Sequence, residues 1–296
     1  MSEHWRRDEP QLFNMYELPW ERLDGPRIAH GVEARLLTRD VRSGSSTFML
    51  RLQPGWRLAE QTDEATLECF VLQGDLAVEG RAVGAGGFLA IPKGCGPVEL
   101  ASTSGAELVL FWNPVFDTDF HYDSTIHVKK IWQEPWSVSV MPDVRNGVMH
   151  KSLRVPDPTG GALHGGPNGI LRLQMLWPGF GEPKQEIHHD VWEEIIFLSG
   201  DFLMPERGWC GPGTVLSHPP SLPHGPLMTQ RGCLLLGQTD KPVGIEWKAF
   251  PAGAELTEHY LDTAPYVEHP SSERWLDRSE YRAWLGFVGG DEAGRT

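Results

Sequence analysis

Short apolar or alternating runs, separated by turns, make up most of the chain. FMLRLQP, ECFVLQGDLAV and AELVLFW are rich in Val, Leu and Phe and end in Gly, Pro or Asp clusters, as strands do. The intervening GRAVGAGG and ERGWCGPG contain too much glycine for helix interiors. The pattern therefore predicts an all-β protein. In the tail, Ser271 and Ser272 are expected to cap a short helix that runs to about Leu285.

The chain also repeats itself, because five short segments recur in the same order at offsets that grow from 116 to 126. The pairs are Pro19-Trp20 with Pro135-Trp136, Gly31-Val32 with Gly147-Val148, Pro54-Gly55 with Pro178-Gly179, Gly74 with Gly200, and ELVLFW with CLLLGQ. Collinear repetition predicts two copies of one domain, residues 16–115 and 132–250. A C-terminal extension, 251–296, is expected to be partly helical.

Charge and composition exclude several classes of function. The formal net charge is −14, and no run of Lys or Arg is longer than two residues, which argues against nucleic acid and anionic membranes as partners. No apolar stretch approaches the ~20 residues that span a bilayer, and the polar N-terminus lacks the apolar core of a signal peptide. The four cysteines show no CxxC spacing. A cytoplasmic protein with reduced thiols is the expectation.

The histidines are distributed unevenly between the two copies. The first copy has none between residues 31 and 120, whereas the second has four within 37 residues. These four are His188, His189, His218 and His224. Scaffold roles should occur in both copies, while chemistry can be confined to one. The other histidines, His150 among them, show no ligand spacing and receive no role.

Candidate metal ligands lie in two segments of the second copy. In EIHHDVWEEIIFLSGD a histidine pair precedes Glu193 by four to five residues, and HPPSLPHGP holds His224 in a proline-rich turn. Imidazole nitrogens and a carboxylate oxygen are ligands that a borderline divalent metal prefers. In the first copy Leu67 falls opposite Glu193, Gln61–Asp63 fall near the histidine pair, and Cys95 falls where His224 lies. One metal per chain, in the second copy, is therefore predicted.

These residues resemble the motifs of the cupin superfamily, G-x5-H-x-H-x3-4-E-x6-G and G-x5-P-x-G-x2-H-x3-N. Glu193 and Gly200 fit the end of the first motif, and His189 stands at its second histidine. The second motif is matched by Gly213, Pro219 and His224. The duplication looks like a bicupin, and GVMHKSLRVPDPTGG, WEEIIFLSGD and PPSLPHGP are most similar to ChrR-type cupins. The resemblance implies two tandem cupin barrels (double-stranded β-helix, or jelly roll).

The sequence departs from the family pattern at three places. Ile187 replaces the first motif histidine, Ser221 replaces a motif glycine, and Leu227 or Met228 replaces the motif asparagine. Since neighbouring side chains on a strand point to opposite faces, the adjacent histidines enter the barrel together only if the strand bulges there.

Two ligand sets therefore stay open. The first is His189, Glu193 and His224, which leaves about three octahedral positions free and suits non-haem Fe(II). The second uses His188 and turns Glu186 inward as a fourth ligand, which favours Mn2+. Zn2+ fits either set, and Ni is a further possibility for the single divalent ion.

Four residues near these ligands have weaker interpretations. His218 is expected to be a hydrogen-bonded core residue at a strand end, in contact with a ligand at most. Glu194 should alternate outward from the strand and form a surface salt bridge. Trp192 and Trp209 line either the pocket mouth or the core.

The resemblance implies an enzyme that acts on a small organic molecule. Similar cupins include Fe(II) dioxygenases that cleave diketones or hydroxylated aromatic ketones, and this is the leading hypothesis. The alternatives are a non-enzymatic ChrR-like sensing module and a Zn- or Mn-dependent isomerase or hydrolase with the same ligands. A purely structural metal would require four protein ligands. A homodimer is also expected, because pairing protects edge strands.

Overall fold

The computed structural model describes residues 5–22, 31–58, 64–116, 122, 125–138, 147–154, 167–182, 186–204, 208–225 and 227–248. Within these residues regular structure is almost entirely β, with one 3-10 turn at Ile131–Gln133. The all-β prediction is confirmed. The extension 251–296, with its predicted helix, and Gln61–Asp63 lie outside the described residues. In the described part of the chain, no helix has the length and apolar character needed to cross a membrane.

The strands alternate with short glycine-rich turns along the chain. The first eleven are β1 (Gln11–Asn14), β2 (Glu21–Arg22), β3 (Val32–Arg39), β4 (Ser46–Leu52), β5 (Arg57–Leu58), β6 (Thr66–Val78), β7 (Arg81–Gly84), β8 (Gly87–Ile91), β9 (Leu100–Ala101), β10 (Ala106–Asn113) and β11 (His127–Lys130). The others are β12 (Ser137–Val138), β13 (Val148–Ser152), β14 (Leu171–Leu176), β15 (Glu186–His188), β16 (Glu193–Gly200), β17 (Phe202–Met204), β18 (Gly208–Cys210), β19 (Thr214–His218), β20 (Cys233–Thr239) and β21 (Glu246–Lys248).

The chain divides into two compact units with the same strand order. One unit runs from Leu18 to Glu134, and its main sheet has the order β11-β8-β6-β10-β4-β3-β2. The other is built from the described residues up to Glu17 and those from Pro135 to Lys248, with the order β1-β19-β16-β20-β14-β13-β12. Each sheet is antiparallel and encloses an apolar cluster, so each unit is a barrel.

The strand that precedes each repeat pairs with the sheet of the other repeat. β1 precedes the first copy but pairs with β19, and β11 precedes the second copy but pairs with β8. The repeats in the sequence do not predict this exchange, because residues before position 16 lie outside both copies. β1 thereby covers the outer edge of β19, and β11 covers the outer edge of β8.

A glycine–aspartate corner is built identically in both units. Gly74 and Gly200 have φ angles of +76° and +82°, and a Cβ at either would collide with the carbonyl oxygen of Gly105 or Gly232. The aspartates that follow accept backbone N–H groups from the facing turn, Asp75 from Thr103 and Ser104, and Asp201 from Gln230 and Arg231. The repeated Gly-Asp pair is therefore scaffold, present in both copies.

Repeated Pro-Trp pairs also have one structural role. The Arg35 guanidinium lies 4.0 Å from the centre of the Trp20 ring, and the Lys151 ammonium lies 4.6 Å from that of Trp136. Cation–π contacts of this kind contribute about 0.5–1 kcal/mol each at partly exposed sites. The duplicated sequence features thus predict duplicated contacts.

Candidate metal centre

Three of the predicted ligands converge in the second barrel. His189 follows β15, Glu193 opens β16, and His224 forms an isolated bridge with Ile187 in the proline-rich turn. One ligand atom from each lies within 4.8 Å of the other two. Glu193 Oε2 is 3.5 Å from His189 Nε2 and 3.8 Å from His224 Nε2. These residues form a group able to hold a divalent metal, hereafter the triad.

Both imidazoles are held by the backbone through their other nitrogen. Nδ1 of His189 lies 3.0 Å from the Val191 carbonyl oxygen, and Nδ1 of His224 lies 3.0 Å from that of Leu222. A carbonyl accepts a hydrogen bond, so Nδ1 carries the proton and Nε2 keeps its lone pair. His189 Nε2 is buried and makes no hydrogen bond within the described residues. The donor set and its orientation fit a metal such as Fe2+, Mn2+ or Zn2+.

The charges within the triad lower the pKa of Glu193 and raise the pKa of His189. Burial alone would raise the pKa of Glu193, but the imidazoles of His189, His224 and His218 outweigh it and hold this pKa well below its usual range. Burial alone would lower the pKa of His189, but the Glu193 carboxylate raises it above its ordinary value. The carboxylate is thus ionised at neutral pH, as metal binding requires.

Alternation along β15 separates the two adjacent histidines. Ile187 and His189 are buried and line the same cavity, whereas His188 between them pairs with Glu246 and lies outside the triad. The structure therefore brings His189 to Glu193 and His224. The side chain of Glu186, the fourth ligand of the alternative set, lies outside the described residues. Ile187 puts an apolar group where the family has its first histidine.

Three of the four neighbouring candidates are buried. His218 ends β19 directly opposite Glu193, and its ring centre lies 4.6 Å from that of His224. Trp192 donates from Nε1 to Ser217 Oγ and does not line the cavity. Glu194 is 1% exposed and accepts a hydrogen bond from Gln238 Nε2 at 2.8 Å. It alternates away from Glu193 as expected, but it is buried instead of forming a surface salt bridge. The side chain of Trp209 lies outside the described residues.

The triad opens on a narrow cavity inside the barrel. Its volume is about 40 Å³. The walls are mainly apolar, with Ile195, Phe202 and Leu235 among them. Glu182 also lines it, and its Oε2 accepts the backbone N–H of Leu227.

Sequence reasoning missed a polar wall on the two strands β13 and β14. Arg172 and Gln174 line the cavity, and His150 is the cross-strand neighbour of Gln174. A signal was present: at the offset of 124 defined by the repeated Pro-Gly, Arg172 aligns with Phe48 and Gln174 with Leu50. Polar residues at inward positions of only one copy mark a site as clearly as histidines do.

The first barrel has no comparable site among its described residues. Leu67 packs in a continuous apolar cluster with Cys69, Leu108 and other core side chains, and Cys95 lies against this cluster. All four cysteines are free thiols. Among the described residues, the candidate ligand atoms that meet in a group of three are those of the triad, in the second barrel.

Ser221 keeps the backbone of the glycine that it replaces. Its φ is +66°, in the left-handed region that favours glycine. The Ser221 N–H donates to the His189 carbonyl oxygen at 2.8 Å. The turn thereby ties the strand that carries one ligand to the loop that carries the other.

Comparison with known proteins finds a matching family model and solved structures of similar fold. Residues 8–111 match a family model described as the ChrR cupin-like domain, which falls on the copy without ligands. No curated protein matches the chain at a significant level. A "putative dioxygenase" from Nostoc punctiforme is 18% identical, with a TM-score of 0.68 over 82% of this chain and 88% of that one.

Two further solved structures are similar in fold. Protein Ylba from E. coli is 12% identical with a TM-score of 0.56, over 79% of this chain and 92% of that chain. A variant of Bacillus subtilis oxalate decarboxylase is 13% identical with a TM-score of 0.51, over 88% and 87%. Residues 8–111 therefore match a cupin-like family model, and the chain as a whole shares the fold of these structures, in agreement with the resemblance of its motifs.

Proposed function

We propose that the second barrel is the active site of a mononuclear metal-dependent enzyme, an Fe(II) dioxygenase that cleaves a small diketone or hydroxylated aromatic ketone. The observation that carries this proposal is the convergence of His189, Glu193 and His224 within 4.8 Å. Two imidazoles and one carboxylate leave about three octahedral positions for other ligands, the pattern of non-haem Fe(II) oxygenases. When bound, the metal would supply Lewis acidity toward an enolate and, as Fe(II), reactivity with O2.

The chain's own residues would hold the metal, orient its ligands and shield the site from water. The carbonyls of Val191 and Leu222 fix the imidazole tautomers, so Nε2 of each ring points to the metal. Ile187 and the apolar walls exclude water from one side of the site. Glu182 is the second carboxylate among the described residues that line the cavity, and it would serve as the base that takes a proton from an acidic diketone carbon.

The cavity is narrow and mainly apolar, which favours a compact diketone over a bulky aromatic ketone. The similarity to the Nostoc protein supports dioxygenase chemistry in this fold. The match to the ChrR cupin-like domain supports a second candidate, a sensing module that binds metal without turnover. A Zn- or Mn-dependent isomerase or hydrolase would use the same triad. The homodimer stays a prediction.

The test is metal analysis followed by oxygen consumption. Full-length protein is reconstituted anaerobically with Fe(II), and its metal content is compared with that of His224→Ala. We expect one iron per chain, its loss in the variant, and O2 uptake with 2,4-pentanedione. One zinc or manganese without O2 uptake would favour the hydrolase or isomerase. Metal without turnover of any kind would favour the sensing module, and failure to bind metal would overturn the proposal.

A further inference from the structure

The polar wall of the second barrel is built on two paired strands. On β13 and β14, His150 pairs with Gln174 and Ser152 pairs with Arg172. These positions alternate with outward-facing ones and share the inward face with Val148, a core residue of this barrel. Gln174 is 6% exposed and His150 is 2% exposed. The wall therefore consists of two buried polar side chains, His150 and Gln174, and two half-buried ones, Ser152 and Arg172.

The corresponding wall of the first barrel is apolar. On β3 and β4, Ala34 pairs with Leu50 and Leu36 pairs with Phe48, in the same ladder positions as the pairs of the second barrel. A polar group buried without function is costly, and the first barrel shows that this scaffold does not require one. The polar wall, like the triad, is therefore present in the second barrel and replaced by apolar residues in the first.

A glycine lies beside the arginine on the neighbouring strand. Gly237 pairs with Arg172 across β14 and β20, and a Cβ placed on Gly237 would lie 4.0 Å from Arg172 Nε. Its ladder equivalent in the first barrel is Leu110, which pairs with Phe48. The Arg172 side chain thus lies over a strand position that lacks a side chain, and it reaches the cavity there.

Charge in the cavity calls for an anionic ligand. The charged groups among the described lining residues are Arg172, Glu182 and Glu193. With a divalent cation on the triad their formal charges leave one positive charge, which a monoanion would neutralise. Arginine binds carboxylates through paired N–H donors. His150 adds no charge near neutral pH, because burial and then the Arg172 guanidinium lower its pKa to about 4.

We propose that Arg172 and Gln174 form a carboxylate subsite, and that the ligand of the second barrel is a small diketone bearing a carboxylate. The inference rests on the proposed function, since a metal at the triad would hold the diketone oxygens while Arg172 and Gln174 bind the acid group. Arg172 acts as a specificity-determining residue for the charged end of the ligand.

Two nearly isosteric probes test this directly. Acetylacetone and acetopyruvate differ in one position, a methyl group in the first and a carboxylate in the second. Their binding to full-length Zn(II)-loaded protein is measured by calorimetry, so that no turnover intervenes. Arg172→Met should weaken acetopyruvate binding by about tenfold to a hundredfold, the range for hydrogen bonds to charged groups. Acetylacetone binding should change by less than about twofold.

Further variants separate the subsite from the fold. Arg172→Lys should restore part of the loss, and Gln174→Leu, which installs the residue of the first barrel, should weaken acetopyruvate selectively. Arg231→Met removes an exposed positive charge from the same barrel and should leave both affinities unchanged. Gln174→Leu keeps the test decisive if Arg172→Met does not fold.

The outcomes distinguish the subsite from the metal site. Protein that takes up no metal overturns the proposed function, and the subsite is then tested on metal-free protein, where acetopyruvate should still bind the wild type better than Arg172→Met. Metal-loaded protein in which the Arg172 and Gln174 variants weaken both probes equally, or neither, overturns the subsite and leaves the metal site standing.

Discussion

Glu193 and Leu67 occupy the same position in the two barrels. Glu193 pairs with Thr239 across β16 and β20, and Leu67 pairs with Trp112 across β6 and β10, at equivalent steps of the two ladders. Leu67 packs into an apolar core, whereas Glu193 faces two imidazoles. One fold thus carries a ligand in one copy and core packing in the other, which allows each role to be tested against the other.

Substituting one of the two adjacent histidines should remove the metal, and substituting the other should not. His189→Ala should lower Zn2+ affinity at least about tenfold, because its Nε2 lies in the triad and one ligand is lost. His188→Ala is the matched control, since it removes the same side chain one residue away, outside the triad. Metal content and competition with a chelator measure both. Equal loss of metal in the two variants would contradict the assignment of His189, and not His188, as the ligand.

Metal affinity should rise with pH. In the metal-free protein Glu193 raises the pKa of His189 above 6.5 despite burial, so protonated His189 stabilises the fold below this pH. That stabilisation is lost as the pH rises through the raised pKa. A metal must displace this proton, so Zn2+ affinity should increase by up to about tenfold per pH unit below the pKa. Calorimetry in buffers of different ionisation enthalpy should detect proton release, and His189→Ala should reduce it. A pH-independent affinity in the wild type would contradict the assignment.

Much of the fold could be predicted from sequence because scaffold features are local. The Gly-Asp corners, the Pro-Trp pairs and the alternating apolar runs each require particular residues at particular spacings, and both copies keep them. The exchange of β1 and β11 could not be predicted, since it depends on which sheet edge each strand reaches in three dimensions. The burial of Glu194 could not be predicted either. Alternation along a strand shows which face a side chain is on, and it does not show what packs against that face.

The metal ligands could be predicted from the sequence because histidine is a rare residue type. The polar wall could not be predicted, because arginine and glutamine are common on strands. LRLQ occurs in both copies, at Leu50–Gln53 and Leu171–Gln174, and suggests that Arg51 and Arg172 are equivalent. The ladders show that they differ by three positions, and an odd shift reverses the face of a strand. Arg51 therefore pairs with Glu107 at 3.0 Å, and Arg172 points into the cavity.

The left-handed backbone at Ser221 should respond to glycine. Ser221→Gly should be more stable than Ser221→Ala by about 1 kcal/mol, since only glycine adopts a φ of +66° without steric cost. Both variants remove the hydroxyl and keep the N–H that bonds to His189. The midpoints of urea unfolding compare them. Equal stability of the two variants would show that the turn relaxes to another backbone conformation.

Glu194 should matter for stability and not for metal. It is 1% exposed and accepts a 2.8 Å hydrogen bond from Gln238, which is 4% exposed. Glu194→Ala removes this buried hydrogen bond to a charged group, which costs about 1–3 kcal/mol. The urea midpoint of the second barrel should fall, while one metal per chain is retained. Glu193→Ala, one residue away, should instead lose the metal. Loss of metal in Glu194→Ala with unchanged stability would place the functional carboxylate on the wrong face of β16 and refute the triad.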